Sequence, residues 1–383
     1  MITYIKATKF LLEDGEAAGN YLEVADGRFG AFVENVPTGG NVVDWSGYTI
    51  APGLFDTHIH GINGHDIMDG TAEAMREIST ALASLGVTRF LPTTLTASAD
   101  KLNEAVSAVA GAVQAGLPGA KSEGIFLEGP YFTERHKGAQ NSSYFKDPDF
   151  EEFEKWQQLS GETIVKIALA PERSGAIDFI RQVSANGVLA SIAHTDANYA
   201  CCKKAIAAGA NNFVHLFNGM SGLHHREPGA VGAALTEKRA FAELICDGYH
   251  VHPDIAAMVL EMKRNKLVLI SDCMRAGLLP DGNYFLGEFP VVLEQGAART
   301  ESGSLAGSTL ALKDGVKNLQ DWSARPLFEV WHAASLSPAK SVGKDAELGS
   351  IQPGKWADYV VLDASLTVQA TAVEGEIIYE AKG

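Results

Sequence analysis

The sequence predicts an α/β chain: a (β/α)8 TIM-like barrel with a small β-sandwich domain formed from both chain ends. Three observations carry this expectation. Through the middle of the chain, short apolar runs alternate with helix-like stretches, and counting gives eight such runs. The two chain ends instead read as short strands punctuated by Gly, Asn and Asp. Metal-ligating side chains also recur where the middle runs stop, which is where barrels of this kind carry their chemistry. The expected division is a small β domain from residues 1–50 and 341–383, and a barrel from residues 51–340.

At the N-terminal end, strands are expected at 4–7, 21–24, 29–33 and 41–44; at the C-terminal end, at 359–362, 366–368 and 376–379. The barrel strands are expected at 54–60, 87–94, 124–128, 164–170, 189–194, 213–217, 242–246 and 267–272. Each is rich in Val, Ile, Leu and Phe, as a strand buried on both faces must be. Helices are expected at 71–85, 101–115, 176–185, 199–208 and 253–263.

Of the 383 residues, 46% are hydrophobic and 20% charged, which is ordinary globular composition and enough for a large core. The formal net charge of −16 argues against nucleic acid or an anionic membrane surface as a partner. It leaves room for an anionic small molecule, because a few local cations override the global field. The four cysteines, Cys201, Cys202, Cys246 and Cys273, form no C-x-x-C pair and no disulfide framework, so a reducing cytoplasm is the expected compartment. No basic leader followed by an apolar stretch opens the chain, and no run approaches the ~18 apolar residues of a membrane span.

The strand ends carry the functional signal. His58 and His60 alternate on the first barrel strand, so both imidazoles face the same side. Glu128 ends the third expected strand, His194 the fifth and Asp272 the eighth, while His215 lies on the sixth. Taken singly, each has a plain structural explanation: a solvated carboxylate for Glu128, hydrogen-bonded core histidines for His194 and His215, a helix cap for Asp272. Their coincidence at one end of one barrel favours a metal site. Imidazoles and carboxylates suit Zn2+, with Fe2+, Mn2+ or Co2+ as alternatives, at one or two ions per subunit. Such an ion acidifies water and polarises a carbonyl. The aspartate would take the proton from that water and return it to the leaving group. The expected chemistry is metal-assisted hydrolysis of an amide, ester or ring C–N bond.

The same residues resemble the amidohydrolase superfamily and, within it, the family of N-acetylglucosamine-6-phosphate deacetylases. The resemblance rests on Pro52-Gly53-Leu54-Phe55-Asp56-Thr57-His58-Ile59-His60-Gly61, Leu127-Glu128-Gly129-Pro130, Lys137-Gly138-Ala139-Gln140, Ala193-His194-Thr195-Asp196 and His215-Leu216-Phe217-Asn218-Gly219-Met220. It continues through Arg226-Glu227-Pro228-Gly229, Asp247-Gly248-Tyr249-His250, Ser271-Asp272 and Leu305-Ala306-Gly307-Ser308. By resemblance, Glu128, His194 and His215 bind the principal metal, His58 and His60 favour a second, and Asp272 is the catalytic acid/base. Asn218, Gly219 and Arg226 match phosphate-sugar contacts, the arginine being one that a second subunit can donate. Ala139, His250, Leu305, Ala306 and Gly307 match substrate-lining positions, and Gln140 stands where other members carry a substrate-binding histidine. Cys273-Met274-Arg275 departs from the small residues expected after the aspartate. His65 and His136 are placed near the mouth, and His224, His225, His252 and His332 are left without a role.

The resemblance implies a homodimer acting on a small-molecule sugar phosphate, releasing acetate and glucosamine 6-phosphate in amino-sugar catabolism. The alternatives are the galactosamine epimer of that substrate, and an inactive homologue that only binds a sugar phosphate. Other amidohydrolases, such as dihydroorotases, often need a carboxylated lysine where this chain offers Glu128.

Overall fold

The computed structural model describes residues 2–382, which form a mixed α/β structure around a curled parallel sheet. Its strands are Leu54–Ile59, Val87–Pro92, Ile125–Glu128, Ile164–Leu169, Leu189–Ile192, Asn212–Phe213, Phe241–Leu244 and Leu267–Leu269. The first two pair with each other, and the last six run in sequence order, all in parallel. Two bridges join these sheets, Thr93 to Phe126 and Ile59 to Cys273, so the first strand lies beside the end of the last. Asp56 reinforces that seam by accepting the backbone N–H groups of His58 and Ser271 at 3.3 Å each.

Helices link successive strands, and their starts follow the capping chemistry of the sequence. Thr71, Ser98, Asp149 and Asn198 each accept a backbone N–H of the first turn, at the heads of Ala72–Ser84, Ala99–Ala115, Phe150–Leu159 and Tyr199–Ala208. The helices seal their apolar faces on the sheet, burying Ile78, Leu82, Val106, Phe153, Trp156, Phe179 and Ile180.

The two chain ends meet in one eight-stranded sheet. Its order is Glu376–Glu380, Val368–Val373, Tyr359–Leu362, Asn41–Pro52, Ile2–Leu12, Tyr21–Ala25 and Arg28–Val33, with Gly15–Ala17 against Ile2–Leu12. The chain passes from this sheet into the curled one at Gly53. A Cβ there would lie 2.2 Å from Thr88 Oγ1, so only glycine permits the crossing. Arg89, 5% exposed, ties the two sheets together: its Nε donates to Asp358 Oδ2 (2.6 Å) and its Nη2 to Glu374 Oε1 (3.1 Å).

Three expectations need correction. The second, fifth, sixth, seventh and eighth parallel strands stop early, at Pro92, Ile192, Phe213, Leu244 and Leu269. His194, His215 and Asp272 stand beyond them with φ of 43°, 32° and 49°, in the left-handed region. The second of the C-terminal-end strands begins at Val368 rather than 366, because Leu366 also has positive φ (63°). After the eighth parallel strand an antiparallel meander, Gly282–Leu286, Phe289–Glu294 and Ala297–Thr300, precedes the helix Leu312–Ser323. The sequence reading assigns no elements to that stretch.

Candidate metal centre and active site

Six of the expected residues converge at the C-terminal ends of the parallel strands. His58, His60 and Asp272 offer ligand atoms within 4.8 Å of one another, and so do Glu128, His194 and His215. The groups adjoin: Glu128 Oε2 lies 3.3 Å from His60 Nε2, and Glu128 Oε1 lies 3.6 Å from His58 Nε2. All six side chains are buried.

Each imidazole has its Nδ1 committed elsewhere. His60 Nδ1–H donates to the Thr93 carbonyl (3.2 Å), His194 Nδ1–H to the His136 carbonyl (2.9 Å) and His215 Nδ1–H to the Asn218 carbonyl (3.0 Å). His58 Nδ1 meets Glu243 Oε2 at 3.3 Å. A carbonyl or carboxylate oxygen only accepts, so the four Nδ1 atoms carry the protons and the four Nε2 lone pairs point at the common space. His58 and His60 Nε2 are 3.3 Å apart, and His194 and His215 Nε2 stand 3.3 and 3.1 Å from Glu128 Oε1. Lone pairs facing one another and a carboxylate need a cation or a proton between them. The donor set, imidazole nitrogen with carboxylate oxygen, fits a borderline divalent ion.

The electrostatics agree. Burial alone would raise the carboxyl of Glu128, yet the surrounding imidazoles hold it well below its usual range. Burial is likewise overruled by His58 and His60 at Asp272, which falls to about 2 and is therefore ionised at neutral pH. His60 runs the other way: burial would lower it, but Asp272 and Glu128 raise it well above its ordinary value.

The unusual backbone at the strand ends has a local cause. After Phe213 the chain turns so that Asn218 N–H donates to the His215 carbonyl (2.9 Å), while Asn218 Nδ2 reaches the carbonyls of His215 and Leu216. Gly219, at φ +60°, lies so close to His194 that a Cβ would come 2.9 Å from Nδ1. Asn218 thus spends its N–H on the turn that aims His215, a use the sequence does not suggest.

A cavity of about 290 Å³ opens above these groups. Of the expected site residues, His60, Glu128, Ala139, Gln140, His194, His215, Asn218, Gly219, His250, Asp272, Leu305 and Gly307 line it. His58 lies beneath, fully buried. Ala306 is packed with Leu95, Met274 and Leu286 instead of facing the cavity. Arg226 is exposed, its Nη1 2.7 Å from His225 Nε2, and it is not part of the cavity wall. Among the described residues that line the cavity, none is Lys or Arg.

Gln140 is committed inward: its Nε2 donates to Glu128 Oε2 (2.6 Å), and its Oε1 accepts Thr96 N–H (3.0 Å). His250 Nδ1 lies 2.7 Å from Asp247 Oδ2, which leaves Nε2 for the cavity. His136 contributes its carbonyl to His194 while its ring meets Asp196 at 3.1 Å.

Sequence reasoning missed Glu243, Lys166 and Asn212. Glu243 is held well below its usual range, to about 2: burial would raise it, but the Lys166 ammonium beside it and the contact with His58 prevail. A signal was present, since each charge interrupts an apolar strand run, Ile164-Val165-Lys166-Ile167 and Phe241-Ala242-Glu243-Leu244.

The model of the amidohydrolase family matches residues 49–378, which take in the whole curled sheet with its strand-end site. The chain belongs to the amidohydrolase family. Members are generally dependent on divalent metals, and this amidohydrolase carries two residue groups able to hold one. It is 44% identical, over 87% of its length and 83% of the relative's, to an N-acetylglucosamine-6-phosphate deacetylase of Vibrio furnissii. It is 39% identical to an N-acetylgalactosamine-6-phosphate deacetylase of Escherichia coli O157:H7, over 98% of its own length and 99% of the relative's. Among solved structures, it superposes on a mutant form of the N-acetyl-D-glucosamine-6-phosphate deacetylase of Mycobacterium smegmatis in complex with N-acetyl-D-glucosamine-6-phosphate. The TM-score is 0.92, at 31% identity and 99% coverage of each chain. No helix among the described residues of this amidohydrolase is long and apolar enough to cross a membrane.

Proposed function

We propose that this chain hydrolyses the acetamide of N-acetylglucosamine 6-phosphate to acetate and glucosamine 6-phosphate, in amino-sugar catabolism in the cytoplasm. The observation that carries the reading is the position of Asp272: its Oδ1 lies 3.3 Å from His60 Nε2 and 3.4 Å from His58 Nε2, on the wall of a cavity shared with the Glu128 group. A carboxylate ionised at neutral pH, beside two groups able to hold a cation, is what amide hydrolysis requires.

In this reading Glu128, His194 and His215 hold the principal ion and His58 and His60 a second, with Zn2+ the first choice and Fe2+, Mn2+ or Co2+ the alternatives. An ion bound there supplies Lewis acidity for the water and for the acetyl carbonyl. Asp272 accepts one proton from the attacking water and gives it to the amine nitrogen as the C–N bond breaks; the second water proton passes from the new carboxylic acid to the amine, so water and amide become acetate and an ammonium. His250, kept with Nε2 toward the cavity by Asp247, donates to the developing oxyanion in its protonated form. The Gly219 N–H and Arg226 receive the phosphate. Ala139, Gln140, Leu305, Ala306 and Gly307 shape the sugar pocket, Ala306 from behind the wall. Because Arg226 stands off the cavity wall, we assign the phosphate cation to a homodimer partner. The architecture consistent with this is a closed (β/α)8 barrel over residues 51–340, with a β-sandwich from 1–50 and 341–383.

The galactosamine epimer is the second reading, favoured by the Escherichia coli O157:H7 relative that aligns with nearly the whole chain. The test is acetate release by purified, metal-supplemented protein from both N-acetylhexosamine 6-phosphates and from their unphosphorylated sugars. The expected result is turnover of a phosphorylated sugar, the gluco epimer first, and poor use of the free sugars. Turnover of neither phosphate, or equal use of the free sugars, overturns the proposal.

A further inference from the structure

Four imidazoles meet at this centre, and three have their tautomer set by backbone. The carbonyls of Thr93, His136 and Asn218 fix His60, His194 and His215. His58 alone relies on a side chain, Glu243, whose Oε2 lies 3.3 Å from Nδ1. Glu243 is itself immobilised inside the curled sheet: its Oε1 accepts from Asn212 Nδ2 (2.7 Å) and pairs closely with the buried Lys166 ammonium. Lys166 and Asn212 Nδ2 can only donate. Glu243 therefore has one oxygen saturated by donors, and the other is available only for the His58 proton.

We propose that Glu243, anchored by Lys166 and Asn212, is the positioning residue that sets the His58 tautomer, and so decides whether the His58–His60–Asp272 group can hold an ion. With the proton on Nδ1, the Nε2 lone pair faces His60 and Asp272. With the proton on Nε2, an N–H fills the same space and ligation is lost. Carboxylates that accept from a ligating histidine serve this purpose in metal sites generally. The inference rests on the metal reading given above, but adds a residue that contacts neither cavity nor substrate.

Glu243→Gln is the discriminating variant. Lys166 and Asn212 demand an acceptor, so the amide oxygen must face them, and the NH2 then faces His58 Nδ1. That NH2 donates, which drives the imidazole proton to Nε2. The test is titration of metal-free protein with Zn2+ or Co2+, read as equivalents bound, together with 15N spectra of histidine-labelled protein in which His58 is assigned by difference with a His58→Asn variant. Wild type is expected to take two equivalents and show His58 protonated on Nδ1. Glu243→Gln should keep the first equivalent, weaken the second by about 10–100-fold, and show His58 protonated on Nε2. Should the variant fail to fold, the wild-type spectrum decides alone: an Nε2–H tautomer at His58 overturns the proposal. Two unaltered equivalents in folded Glu243→Gln overturn it too. Wild-type protein that takes no ion at all sinks the metal reading instead, and the spectrum still reports separately whether Glu243 sets the tautomer.

Discussion

His58 Nε2 and His60 Nε2 face each other across 3.3 Å, each ring having committed its other nitrogen to an acceptor. Two buried lone pairs at that separation, with Asp272 and Glu128 alongside, repel unless a cation or proton stands between them. His58→Asn or His60→Asn should therefore lower the ions bound per subunit from two to one, counted by elemental analysis after gel filtration. His215→Asn, by removing a ligand of the principal group, should cost turnover on the order of 10³-fold, a loss of several kcal/mol of transition-state stabilisation. Two ions per subunit retained in His58→Asn and His60→Asn would contradict the division into two groups.

Gln140 links that centre to the loop above it. Its Nε2 is 2.6 Å from Glu128 Oε2, so it holds the carboxylate with Oε1 toward His58, His194 and His215 and Oε2 toward His60. Gln140→Ala should weaken metal affinity or turnover by about 10–100-fold, as lost partners of ligands do. Gln140→Glu should be worse, since it sets a second carboxylate against Glu128. Both follow from metal-binding isotherms paired with initial rates.

Arg226 is assigned to the phosphate, away from the reacting carbonyl. Arg226→Ala should raise KM by about 10–100-fold, the loss of a charge-assisted hydrogen bond of roughly 1.5–3 kcal/mol, and leave kcat nearly unchanged. Mixing this variant with an Asp272→Asn variant should restore activity if the arginine crosses a dimer. A fall in kcat at constant KM would remove Arg226 from that role.

Arg89 is a matter of stability. Its guanidinium serves Asp358, Glu123 and Glu374, of which Asp358 is 5% exposed. Arg89→Met strands these carboxylates and should cost about 3–5 kcal/mol. The thermal midpoint should fall clearly, with turnover at low temperature preserved. An unchanged midpoint would mean that the joint between the two sheets rests on apolar packing alone.

How much of this was legible depended on whether the cause was local. The alternation of His58 and His60 is a property of one strand, and it could be read directly. The residue types at 128, 194, 215 and 272 were legible for the same reason, since each follows or sits in an apolar run. Their backbone was not: the left-handed turns at His194, His215 and Asp272 are fixed by partners such as the carbonyls of His136 and Asn218, the close approach of Gly219, and His58 O, which accepts Asp272 N–H at 2.9 Å. Glu243 and Lys166 were visible as charges inside apolar strands, but their pairing joins positions 77 residues apart. In the meander, Gly282–Leu286 and Phe289–Glu294 alternate more buried with exposed side chains, a strand signal that the eight-strand pattern of the barrel does not include. Ala306 was placed by pattern alone, and the pattern could not say which side of its turn faces the cavity.

The most direct measurement is acetate release from N-acetylglucosamine 6-phosphate by protein stripped with a chelator and then reloaded stepwise with Zn2+. The account predicts negligible release from stripped protein and a rate that rises with metal bound to the Glu128–His194–His215 group. It also predicts that Asp272→Asn, loaded to similar metal content, stays inactive. Stripped protein that hydrolyses the substrate at the full rate, or an Asp272→Asn variant with near-normal turnover, would contradict it.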